Sequence, residues 1–148
     1  MNSEHAYRLS QSFLVAANRA NEYRVIDDKF QVAIVPAIVC AAFSVEVGLK
    51  ALIFKETGHE CKREHKIASL FEKLPNVRQE EIRSLLVEKY NDINEKMKGI
   101  SNAFVEWRYV YEKDYTEIDS TFLFDFAKVI ADISNCIWNF SSGNAPRP

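Results

Sequence analysis

Two charged residues, Glu46 and Lys50, lie four positions apart in a stretch that is otherwise almost entirely apolar. Between residues 32 and 54 the other strongly polar side chain is that of Ser44. On a helix this spacing places the carboxylate and the ammonium on one face. Because an unpaired charge is costly to bury, each group needs a partner or a solvated cleft. The pair is therefore either a structural ion pair, made internally or with Arg108, or one wall of a ligand-binding groove.

Arg108 stands in a run of aromatic residues, between Trp107 and Tyr109 and three positions before Tyr111. Its guanidinium could hold a phosphate while the aromatic rings stack on nucleobases. Alternatively, aromatics at helical spacing belong to a core, and Arg108 makes a surface i, i+4 pair with Glu112. The first interpretation predicts a groove formed by Glu46, Lys50, Trp107, Arg108 and Tyr111.

Three residues with metal-binding side chains, His59, Cys61 and His65, lie within seven positions. Their order matches neither the paired spacing of a zinc finger nor HExxH, and no fourth ligand is evident. His65 can instead begin a short helix and bond to a neighbouring backbone group. The phosphate-binding and nucleophile motifs of common enzymes are missing as well. We therefore expect no metal and no cofactor.

The composition indicates one folded domain. The chain has 148 residues, of which 47% are hydrophobic, and it carries a formal net charge of -2. A near-neutral balance gives no field that would draw the whole surface to nucleic acid or to an anionic membrane, so any RNA contact must come from a local patch. We predict a single domain over residues 1–140 and a disordered tail over residues 141–148.

The cysteines and the apolar stretches predict a cytoplasmic protein without a membrane partner. The three cysteines, Cys40, Cys61 and Cys136, are far apart and odd in number, which does not suit a disulfide framework. The longest uncharged stretch, residues 30–45, covers sixteen positions, and charged Glu46 follows it at once. This is shorter than a membrane span, so we expect a helix buried in protein.

The elements that would position these residues are all helical. Few glycines and prolines and long runs of helical periodicity predict an antiparallel up-and-down bundle of four to five helices. Asp27 and Asp28 should cap the second helix, Pro36 could kink it, and Gly99 could break the fourth. The predicted segments are residues 3–23, 29–55, a short helix ending at Pro75, 78–111 with buried residues every three or four positions, and 119–140.

Three stretches together resemble the HEPN domain, a helical module of many prokaryotic toxin, defence and nucleotidyltransferase-associated proteins. Residues 43–53, Phe-Ser-Val-Glu-Val-Gly-Leu-Lys-Ala-Leu-Ile, are similar to the family's acidic residue followed by Lys-Ala-Leu. Gly58 and then residues 65–71, His-Lys-Ile-Ala-Ser-Leu-Phe, resemble its turn and His-led short helix. Residues 107–109, Trp-Arg-Tyr, resemble the Arg-Tyr before its last helix.

The resemblance implies a helical bundle that commonly forms a homodimer. In the family's ribonucleases, an Arg followed four to six residues later by His faces its symmetry mate, and the two residues orient the ribose 2′-hydroxyl and the phosphate for metal-independent cleavage. Arg108 matches this Arg, but residues 112–114 are Glu, Lys and Asp. The departure matters because acid–base work on a hydroxyl needs a group that exchanges a proton near neutral pH.

Two functions follow from the resemblance. The first is a non-catalytic, dimeric module that binds RNA, a nucleotide or a protein partner, such as a nucleotidyltransferase-type protein, in a defence or toxin–antitoxin type system. The alternative is a metal-independent endoribonuclease that uses Arg108 with Glu112, Tyr109 or His65 in place of the missing His.

Overall fold

The computed structural model describes residues 1–141 and confirms the mostly helical class. Residues 142–148 lie outside the described part, so the predicted tail stays a prediction. Two short strands separate the first two helices, and a 3₁₀ turn, Val110–Glu112, follows the sixth. The elements are α1 (Ser3–Ala20), β1 (Arg24–Ile26), β2 (Lys29–Gln31), α2 (Ile34–Thr57), α3 (Ile67–Glu72), α4 (Asn76–Leu86), α5 (Ile93–Ile100), α6 (Ala103–Arg108) and α7 (Ser120–Ser141).

Helix α2 is the centre of the domain, as its sequence predicts. It packs against α1, α3, α6 and α7. Its middle, from Ser44 to Leu49, is buried without interruption. By length and composition α2 could cross a membrane, but 72% of its most apolar window is buried within the domain. Burial of this kind is what a core helix shows.

Close approach of α1 to α2 depends on small residues. The Ser10 hydroxyl donates to the Ser44 carbonyl at 2.7 Å, and the Ser44 hydroxyl donates to the Ser10 carbonyl at 2.8 Å. At Gly48, an added Cβ would lie 2.8 Å from Ile130 of α7 and 2.8 Å from Ser10. Side chains larger than these would push α1 and α7 away from α2.

The segment before α2 differs from the prediction. Residues 24–31 form an antiparallel hairpin in which Val25 pairs with Phe30, so α2 begins at Ile34 rather than at residue 29. Asp27 and Asp28 do not cap the helix; they form the two-residue turn, with φ of 52° and 61°. Aspartate tolerates this left-handed conformation better than most residues, and such turns suit the twist of a hairpin.

Pro36 does not have the role that the sequence suggested. It is the third residue of α2, within the first turn, where backbone N–H groups have no acceptor inside the helix. Proline there removes no helical hydrogen bond, so the predicted kink has no cause. The Ala37 N–H, directly after it, donates to the Ala33 carbonyl at 3.0 Å.

The predicted fourth helix is three helices. It ends at Leu86, restarts at Ile93 and stops again at Ile100, one residue beyond the predicted break at Gly99. The Asp92 side chain caps α5 by accepting from the Glu95 N–H at 3.1 Å. The predicted contact residues from Leu86 to Ile100 are buried, whereas Tyr111 is 77% exposed. The spacing therefore identifies the buried residues as far as Ile100, but it predicts neither the exposure of Tyr111 nor the breaks in the helix.

Helix α7 closes the core. The Asp119 carboxylate accepts from the Phe122 N–H at 3.0 Å, which is the predicted N-cap. Phe122, Phe126 and Ile130 are fully buried on the face turned toward the core. Phe140, which the periodicity assigned to the same face, is 87% exposed. This last turn of the helix extends beyond the core that the described residues form.

Candidate functional site

Glu46 accepts two hydrogen bonds at one oxygen. Lys50 Nζ lies 2.8 Å and His65 Nδ1 lies 2.9 Å from Glu46 Oε1. Glu46 is 2% exposed, and its other oxygen, Oε2, is buried without a hydrogen-bond partner among the described residues. Burial of the carboxylate makes its two contacts energetically important, because an isolated charge there would be strongly destabilising.

This polar cluster, defined as Glu46, Lys50 and His65, joins α2 to the connector that precedes α3. The Lys50 side chain is 15% exposed, and the His65 ring is about half exposed. The predicted ion pair of Glu46 with Lys50 is therefore present. His65 does not begin the helix, which starts at Ile67, and its ring contacts the carboxylate rather than a backbone group. Glu46 and His65 are nineteen positions apart in sequence, so helical spacing could not predict their contact.

Arg108 makes no hydrogen bond or ion pair with the polar cluster within the described residues. Its Nε donates to the Phe104 carbonyl at 3.1 Å, and its guanidinium lies 4.3 Å from the Phe104 ring centroid and 5.4 Å from that of Tyr109. Within residues 1–141 it forms no ion pair, neither with Glu46 nor with Glu112. Because α6 ends at Arg108 and Glu112 lies in the 3₁₀ turn, the i, i+4 geometry is lost.

Three aromatic rings in contact connect α1, α2 and α6, and Arg108 lies over the last of them, Phe104. Phe13 meets Phe43 edge-on at 4.6 Å between centroids, and Phe43 stacks on Phe104 at 4.7 Å. Pro36 and Val39 precede Phe43 by seven and four positions, so they lie along the same side of α2. We call this surface the α2–α6 face; its residues are Pro36, Val39, Phe43, Phe104, Trp107 and Arg108.

The α2–α6 face is only partly covered within the described residues. Pro36 and Arg108 are exposed, and Val39, Phe43 and Trp107 are half-buried. Neighbouring Cys40 is also half-buried, and burial raises the pKa of its thiol. The first half of α2 is thus apolar all round but enclosed on one side.

The structure divides the predicted groove into two places. Glu46 and Lys50 belong to the polar cluster, whereas Trp107 and Arg108 belong to the α2–α6 face. The two are neighbours on α2, because Glu46 follows Phe43 by three positions on the same side of the helix. Tyr111 is 77% exposed, and its ring lies 6.4 Å from that of Tyr109.

The metal candidates do not come together in the part of the chain that is described. No group of three His, Cys, Asp or Glu side chains there could hold a metal ion. Cys61 lines a cavity of about 280 Å³ with Lys50 and Glu60, while His59 is exposed. His65, as described above, contacts Glu46.

Comparison with known proteins gives one assignment. No curated protein and no solved structure matches the chain. The model of the HEPN domain matches residues 36–137, which include the polar cluster, α6 and most of α7. Helix α1 and the hairpin precede the matched segment. Since the match spans more than half of the chain, this protein belongs to the HEPN domain family.

Proposed function

We propose that this HEPN domain is a non-cleaving binding module that acts as a homodimer, with the α2–α6 face as the interface. The observation that carries the proposal is an apolar surface left open on the central helix, beside a guanidinium that has no ion-pair partner within residues 1–141. The family setting extends the proposal to a defence or toxin–antitoxin type system.

The side chains of the face suit a protein interface. Aromatic residues and Arg are enriched where proteins meet, and exposed apolar patches commonly mark such sites. Trp107 and Arg108 lie side by side next to the half-buried rings of Phe43 and Phe104. Covering these groups with a second copy would remove apolar surface from water. Each Å² of apolar surface buried in this way contributes a favourable free energy of about 25 cal/mol.

Charge around Arg108 favours a protein over RNA as the partner. Phosphate binding depends on local excess of Lys and Arg. Residues 104–117 contain two basic side chains but four acidic ones, so this segment repels a phosphate backbone overall. The basic residues are Arg108 and Lys113, and the acidic ones are Glu106, Glu112, Asp114 and Glu117.

Absence of a histidine four to six residues after Arg108 supports a non-cleaving role. Cleavage at a 2′-hydroxyl needs a proton acceptor within hydrogen-bond reach of the attacking oxygen. His65, one of the possible substitutes, is hydrogen-bonded to Glu46 in the polar cluster. The partners of Arg108 within residues 1–141 are Phe104 and Tyr109.

Size-exclusion chromatography with light scattering tests the dimer. We expect a wild-type mass of about twice the 17.1 kDa of one chain. Val39→Glu should be monomeric, because two carboxylates would be buried without partners at the interface. Val77→Glu is the control, since Val77 is 83% exposed and lies on α4, which packs mainly against α7. A wild-type monomer throughout a concentration series would overturn the proposal.

The second candidate function, a metal-independent endoribonuclease, is favoured by the guanidinium of Arg108, which forms no ion pair with the residues that the structure describes. Incubation of the purified dimer with single-stranded RNA in the presence of EDTA separates the two functions. We expect the RNA to stay intact. Cleavage that Arg108→Ala abolishes, and that Lys113→Ala leaves unchanged, would establish the ribonuclease instead.

A further inference from the structure

The β1–β2 hairpin is exposed on every strand residue. Tyr23, just before β1, is 76% exposed, Val25 is 64% exposed and Phe30 is 83% exposed. A single two-stranded hairpin is at best marginally stable in water unless something packs against it. This hairpin also precedes the segment that the HEPN model matches, so it is an addition to the matched domain.

The two faces of the hairpin differ. Val25 and Phe30 are cross-strand partners and therefore share one face, to which Tyr23 belongs by its two-residue spacing. On the opposite face, Arg24 and Gln31 line a cavity of about 320 Å³ together with the end of α1. Tyr23, Val25 and Phe30 thus form an outer face that the described residues leave uncovered; we call it the hairpin face.

The hairpin face supplies part of the surface area that the interface of a stable dimer buries. Taking ~200 Å² for an exposed aromatic side chain, its three residues present roughly 400 Å² of mostly apolar surface. A standard interface buries about 800 Å² on each partner. The hairpin face would thus supply about half of that area, and the α2–α6 face adds the exposed surface of Pro36 and Arg108.

Charges at the hairpin tip complement those of the α2–α6 face. Asp27 and Asp28 form the turn, are exposed, and have no ion-pair partner among the described residues. Arg108 likewise has none. Within one chain these groups do not meet, so each is available to a second copy.

From these observations we propose that the hairpin of each protomer docks on the α2–α6 face of the other. Tyr23, Val25 and Phe30 cover the apolar part of that face, and the Asp27–Asp28 turn lies against Arg108. In a two-fold dimer the exchange occurs twice, so each contact is doubled. The inference rests on the proposed homodimer and specifies how its interface is completed.

A double-mutant cycle on the dimer dissociation constant tests the contact. The change of Asp27→Asn with Asp28→Gly removes both charges and keeps a sequence that favours the same two-residue turn. We expect this change, or Arg108→Gln alone, to weaken the dimer by about tenfold. The Asp27/Asp28 change combined with Arg108→Gln should weaken the dimer little more than either change alone, because each removes the same interaction.

Two further variants examine the apolar part of the contact. Phe30→Ser should weaken the dimer by at least about tenfold, whereas Val77→Ser, equally exposed on α4, should not change it. A dimer with independent, additive effects of the charge changes, or one insensitive to Phe30→Ser, would overturn the hairpin contact alone. A monomeric wild type would overturn the proposed function as well.

Discussion

At the scale of single residues, Glu46 is the charged side chain that the described part of the chain buries, with 2% of its surface exposed. One of its oxygens accepts from both Lys50 and His65, and the other is buried without a hydrogen-bond partner within residues 1–141. Such a carboxylate stabilises the fold only as long as both donors remain. Removing it leaves the largely buried ammonium of Lys50 uncompensated.

Glu46→Ala should therefore lower the free energy of unfolding by about 3 kcal/mol, the usual cost of breaking a buried ion pair. Urea denaturation monitored by circular dichroism measures the change. The matched control is Glu95→Ala, because Glu95 pairs with Lys98 on an exposed surface and such pairs contribute less than about 1 kcal/mol. Equal losses in the two variants would contradict the structural importance of the cluster.

Asp119 gives a pH-dependent prediction. Its hydrogen bonds from Lys96 and from the Phe122 backbone hold the pKa of the carboxyl below its usual value. A lowered pKa in the folded state means that the ionised form stabilises the protein at neutral pH. That stability is lost as the pH falls below about 4, the unfolded pKa, and through the lower folded pKa.

Asp119→Ala should accordingly cost about 1 kcal/mol at pH 7, as expected for loss of an N-cap. The difference from wild type should shrink steadily as unfolding is measured at decreasing pH. A difference that stays constant down to acidic pH would show that the ionised carboxylate does not stabilise α7.

Local spacing predicted some of these contacts and not others. The Glu46–Lys50 pair follows from i, i+4 spacing on a helix that exists. The predicted Arg108–Glu112 pair does not form within the described residues because α6 ends at Arg108. Residues four positions apart share a face only where the helix continues between them. The contact of His65 with Glu46 spans a connector, so sequence periodicity carries no information on it.

At the scale of helices and strands, hydrophobic spacing located the core but not the ends of the elements. Leu86, Ile93 and Ile100 are buried as predicted, although they belong to two different helices. The hairpin was missed because Asp-Asp was interpreted as a helix cap. In the structure both aspartates have positive φ and form a turn between short strands.

Close packing of α2 gives a paired test at this scale. Gly48→Ala places a Cβ 2.8 Å from Ile130 and from Ser10, so it should lower the free energy of unfolding by about 1–3 kcal/mol. Gly99→Ala meets nothing within 4 Å on α5 and should raise it by up to about 1 kcal/mol through helix propensity. Thermal unfolding of both variants measures whether each substitution lowers or raises the stability of the fold. A Gly48→Ala variant more stable than wild type would contradict this packing.

At the scale of the whole molecule, two parts of α2 have different surroundings. The middle, from Ser44 to Leu49, is enclosed by the domain, and the first turns, with Pro36 and Val39, are open on one side. The sequence predicted a helix that is buried in protein. The structure assigns this burial to the middle of the helix, and our proposal assigns the dimer interface to its first turns.

Hydroxyl-radical footprinting with mass spectrometry tests that division most directly. Our account predicts that Val39 and Trp107 are oxidised more slowly in concentrated than in dilute protein, because a second copy covers them. Val77, exposed on α4, should be oxidised at the same rate in both. Unchanged rates at Val39 and Trp107, in protein concentrated well beyond the dilute sample, would contradict a dimer formed through the α2–α6 face.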